Sequence, residues 1–213
     1  MTHKAIAAII IALVASIPFT NSAALQEPAI VSLKEEARLL GGRVNETVTV
    51  DSALAPLPML VAEADLIVRG RVVRTATSLN RTETAVRTLF TLTPQRVLKD
   101  NLKVATSKRP GATAPLTFFE PGGTVHVDGL EITQTYNNAT QPPLQTGDEI
   151  IGFFVQDDEP DILRFHHGPY GLLRVHGRKV TAANSRIARY RPIKHGAVDE
   201  VQAEIARLVQ TPK

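Results

Sequence analysis

His166 and His167 stand side by side just ahead of Gly168-Pro169, with His126 and His176 elsewhere as candidate partners. Neutral imidazole is a common ligand for zinc and related ions, so a metal-dependent hydrolase using His166, His167 and His126 is the first chemistry to weigh. Neighbouring residues on a strand point to opposite faces. The pair therefore reaches one ion only where the chain bends, and Gly168-Pro169 offers such a bend. No HExxH or comparable spacing accompanies them. Spacing alone thus reads them as strand-end histidines, with no metal and no cofactor expected and the zinc site held as the alternative.

Other chemistries have less to stand on. The run Asp157-Asp158-Glu159-Pro160-Asp161 offers hard oxygen ligands but lacks the spacing and central glycine of a calcium loop, and reads as a soluble hairpin tip. No G-x-S-x-G elbow surrounds any serine, and no glycine-rich stretch has phosphate-loop spacing. The 213-residue chain contains no cysteine, which removes thiol nucleophiles, thiolate metal sites and disulfides together.

Charge is more informative by position than in total. The net charge is only +3, yet Arg69–Arg109 holds ten basic residues against Glu83 and Asp100, and 110–165 holds nine acidic residues against Arg164. Arg69, Arg71 and Arg87 make the basic block a candidate surface for nucleic acid or an anionic polysaccharide. Aromatic residues are only 5% of the chain, with no Trp, so stacking support for such a ligand is thin. The favoured expectation is that the two blocks meet across neighbouring strands and pair.

The elements that must position these residues begin at Ala64–Val73. Leu66, Val68 and Val72 alternate with Arg69 and Arg71 in a strand's period of two, and Gly70 marks a bend or close backbone approach. Later strands are expected at Ala85–Thr93, bulged at Pro94, then at Pro115–Phe119, Ile150–Val155, Ile162–Phe165 and Gly171–Val175. Val125–Val127, Asp128-Gly129 and Leu130–Ile132 spell a hairpin with a type I′ turn. Thr133–Thr146 reads as a surface loop. Short helical stretches are expected at Leu33–Leu40 and Met59–Ala64. At the end of the chain, Val198, Val201, Ile205 and Leu208 recur at helical spacing.

Residues 1–24 read as a signal peptide: Lys4, thirteen uncharged residues over Ala5–Ile17, Pro18, then Ser22-Ala23-Ala24 for cleavage. The remainder divides into an extension at 25–58, a β-barrel domain at 59–180, and a surface loop with a C-terminal helix at 181–213. The expected fold is mainly β, an OB-like small barrel with a short N-terminal helix and an amphipathic C-terminal helix.

The order ADLIVRGRVV, TLFTLTPQRVLKD, FFEPGGTVHVDGLEI, TGDEIIGFF, GPYGLLRV resembles a family of exported bacterial proteins with no assigned activity. It is also distantly similar to the OB-like barrel of netrin and metalloproteinase-inhibitor (TIMP) domains. That resemblance spans about Ala64–Val175 and implies a fold. The inhibitors bind a protease zinc through an N-terminal Cys that this chain lacks, so no functional residue carries over. The resulting expectation is an exported, periplasmic or extracellular, non-catalytic binding module that engages another protein. The metal-dependent hydrolase and the anionic-polymer binder remain as alternatives.

Overall fold

Both sides of the Ala64–Val73 motif are put to use. In the computed structural model, which describes residues 32–48, 55–103, 114–136, 142–159, 161–182 and 196–211, the motif opens a long strand β2, Leu66–Leu79. Leu66, Val68 and Val72 enter one buried cluster, while Ile67 between them enters another on the opposite face. Gly70 stands opposite Pro94 at a shift of register, and a Cβ there would lie 2.6 Å from the Thr93 carbonyl oxygen. The close approach read from the glycine and the bulge read from the proline are thus one feature. The signal-peptide segment 1–24 and most of Thr181–Gly196 lie outside the described residues.

The fold is mainly β, and among the described residues ten strands form two sheets. Helix α1 (Leu33–Leu39) is N-capped by Ser32, whose hydroxyl accepts from the Glu35 N–H, and leads into β1 (Arg43–Val48). Helix α2 (Leu57–Glu63) precedes β2, which pairs antiparallel with β3 (Val86–Asp100). Then come β4 (Leu116–Pro121), β5 (Gly123–Val127), β6 (Leu130–Tyr136), β7 (Glu149–Gln156) and β8 (Leu163–Phe165). A 3₁₀ turn at Gly168–Tyr170, β9 (Leu172–His176), β10 (Lys179–Ala182) and helix α3 (Val198–Gln210) follow among the described residues. The larger sheet runs β10-β9-β7-β2-β3-β4-β8, and β8 pairs with β7 as well as with β4.

The expected hairpin forms, with Asp128 at φ 52° and Gly129 at φ 77°. It lies outside the larger sheet. Gly122 and Gly123, both at positive φ, turn the chain out of β4, and β6 pairs in parallel with β1 and antiparallel with β5 in a separate three-stranded sheet. Thr133–Tyr136, expected to open a surface loop, instead continue β6 and bury Gln134. That side chain accepts from the Val86 N–H at 2.8 Å and donates to Glu46 at 2.7 Å, joining the two sheets.

Two buried clusters flank the larger sheet. The inner one centres on Phe118, whose ring lies 4.9–5.2 Å from those of Phe90, Phe154 and Phe165. The outer one holds Ile67, Ile151, Phe153 and Leu173 under Leu60 and Val61 of α2 and Val198, Val201 and Ile205 of α3. Because β7 feeds both clusters, its sequence IIGFF shows no polar alternation. The C-terminal helix covers the outer face at the spacing its sequence sets.

Candidate metal centre

Helix α2 ends at Glu63, an awkward place for a carboxylate. The C-terminal end of a helix carries partial negative charge, and no basic residue of its own occupies the last turn of α2. Lys99 of β3 supplies that compensation, donating from Nζ to the Val61 and Ala62 carbonyls at 2.8 and 3.1 Å. Glu63 is thereby held at the edge of the outer cluster, with its carboxylate turned to the β8–β9 connection.

The two histidines come from that connection. His166 follows β8 directly, and its backbone N–H donates to the Phe153 carbonyl of β7 at 2.8 Å. His167 adopts the left-handed region, φ 59° and ψ 30°, where a side chain costs about 1 kcal/mol or more. This turn removes the opposite-face constraint that strand geometry would impose on adjacent residues. The rings then lie together, centroids 4.2 Å apart and planes at 64°. Gly171 closes the turn against the His166 carbonyl, leaving no room for a side chain.

Both rings converge on Glu63 across about a hundred residues of sequence. His166 Nε2 lies 2.7 Å and His167 Nε2 3.3 Å from Glu63 Oε2. One ligand atom from each of the three residues falls within 4.8 Å of the others. Bonds of about 2.0–2.1 Å around a tetrahedral zinc place ligand atoms about 3.3 Å apart, so small movements would seat an ion here. The His166 contact, then the His167 contact, holds the Glu63 carboxyl below its usual range. The side chains are 39% (Glu63), 21% (His166) and 18% (His167) exposed, so the cluster is open to solvent on one side.

Glu63 carries no ligand spacing of its own in the sequence. The usable signal was local: an acidic residue ending a helix that has no basic residue in its last turn. His126 lies elsewhere, on β5 of the smaller sheet, opposite Glu131. His176 ends β9, opposite Lys179.

The arginines are placed among carboxylates. Arg69 reaches Glu149 at 2.6 Å, and Arg71, more exposed, lies 3.8 Å from the same carboxylate. Arg87 is buried, bonded to Glu159 at 2.7 Å and stacked over Phe119. These pairs join the basic block to the acidic one, Arg69 of β2 to Glu149 of β7 and Arg87 of β3 to Glu159 in the β7–β8 turn. Within the acidic run, Glu159 thus serves as an ion-pair acceptor, and Asp157 lies 3.8 Å from Arg164. No helix among the described residues is long and apolar enough to cross a membrane. No protein-family model matches the chain, nor does any curated protein.

Proposed function

We propose that this protein is an exported binding module, built on an OB-like barrel, that holds a divalent transition-metal ion on Glu63, His166 and His167. One observation carries the reading: three side chains from α2 and the β8–β9 connection bring ligand atoms within 4.8 Å of one another. Two imidazoles and one carboxylate form a borderline donor set, suited to zinc, cobalt or nickel rather than calcium or magnesium. The left-handed backbone at His167 supports it further, since strain of this kind collects where a side chain must be aimed. Mutual pairing of β7 with β2, β2 with β3, β3 with β4, and β8 with both β4 and β7 supports the barrel.

Arg69 and Arg87 direct their charge to Glu149 and Glu159, which favours the metal over an anionic polymer as the ligand. Isothermal titration of the purified metal-free chain with zinc chloride tests the proposal. One zinc per chain is expected, weakened at least tenfold in Glu63→Gln, His166→Ala and His167→Ala and unchanged in His126→Ala. Zinc binding that survives all three substitutions, or that is lost with His126, overturns it.

A further inference from the structure

We infer that a metal ion at this site keeps a coordination position open to solvent and takes a small anion there, a carboxylate or a simple inorganic anion. The inference rests on the metal-binding reading and concerns what the bound ion can do. Among the described residues only Glu63, His166 and His167 group as donors, one short of a tetrahedral set. Closed structural zinc sites use four protein ligands, whereas sites that engage an outside ligand use three. The three side chains also keep the solvent exposure of an open rim.

Charge points to the sign of that ligand. A divalent ion beside the single Glu63 carboxylate leaves one net positive charge, because neutral imidazoles add none. The Lys99 ammonium, bonded to the carbonyls of the two residues before Glu63, offsets the negative end of α2, so the helix end does not cancel that charge. The packed edge of His166 against His167 fills one side of the site, and the outer cluster beneath α2 lies behind it. An incoming anion therefore approaches from solvent and replaces a water on the metal, with no bond of the protein broken.

Cobalt(II) separates this inference from the one it rests on. The purified chain is loaded with cobalt chloride, its visible absorption recorded, and sodium acetate or sodium azide then titrated in. The expected result is a protein-dependent cobalt spectrum, absent in His166→Ala, that shifts saturably with one anion per cobalt. A protein-dependent spectrum that neither anion alters means a saturated metal, and overturns the open position while leaving metal binding intact. No protein-dependent spectrum at all overturns both. Retention of the shift in His166→Ala would place the responsive cobalt elsewhere and also overturn the inference.

Discussion

Glu120 offers a measurable consequence of burial within the larger sheet. It follows Leu116 and Phe118 on β4, both buried in the inner cluster, and pairs across to Thr88 of β3. Burial pushes its carboxyl from 4.5 up to about 7, and the charge of Arg174 offsets only part of that. Arg174 is itself engaged, donating to Asp148 at 2.8 Å and to the Pro142 carbonyl. Below pH 4.5 the Glu120 carboxyl is protonated in folded and unfolded chains alike, and its contribution to stability is fully present. As pH rises toward 7 the unfolded chain gives up the proton first, so stability falls. The loss is complete once the folded-state carboxyl has ionised. A shift from 4.5 to about 7, at roughly 1.4 kcal/mol per unit, sets an upper limit of about 3 kcal/mol, reduced by the partial exposure that Glu120 keeps. Glu120→Gln is neutral throughout and escapes this loss. Urea unfolding followed by circular dichroism should show the two proteins equally sensitive near pH 4, with the variant more stable by up to about 3 kcal/mol near pH 8. A difference between them that stays flat across this range refutes a desolvated Glu120.

Glu159 titrates in the opposite sense. Arg87 holds its carboxyl below the usual range, so its stabilisation is present above pH 4.5 and disappears as acid titrates the folded chain; Glu159→Gln should flatten that acid limb of the stability profile. Arg87→Met should cost about 2 kcal/mol in urea unfolding, less than for a fully buried pair because Glu159 stays 26% exposed. Ile205→Ala on α3 removes a fully buried side chain from the outer cluster and should cost about 2–5 kcal/mol, read as a lower urea midpoint with unchanged slope. Gly171→Ala pushes a methyl group into the His166 carbonyl. It should cost about 1–3 kcal/mol and weaken zinc binding in calorimetry, without touching any ligand side chain.

Local sequence was enough for most elements, and particular residues show why. Asp128-Gly129 can sit at positive φ, so the hairpin turn is a property of two residues. Leu66, Val68 and Val72 point one way and Ile67 the other because a strand's side chains alternate, whatever the partner strands are. Val198, Val201 and Ile205 share a face of α3 for the equivalent helical reason. The pairing of Arg69 with Glu149 was legible as a meeting of oppositely charged blocks, although the register that joins those two residues was not.

What only the tertiary structure decided is which of these pieces meet. The hairpin left the larger sheet for β1 because positive φ at Gly122 and Gly123 redirects the chain, and residues 43–48 offered a parallel edge far back in sequence. Glu63 reached His166 and His167 because α2 and the β8–β9 connection both pack beside β7, one through the outer cluster and one through the Phe153 backbone. Strand alternation argues that adjacent histidines diverge, and the left-handed turn at His167 reverses that conclusion. Backbone sterics act over a few residues, so the sequence by itself determined the strands, the turn and the helix faces. Burial is shared by the whole chain, so the company those residues keep is settled only when the chain packs as one.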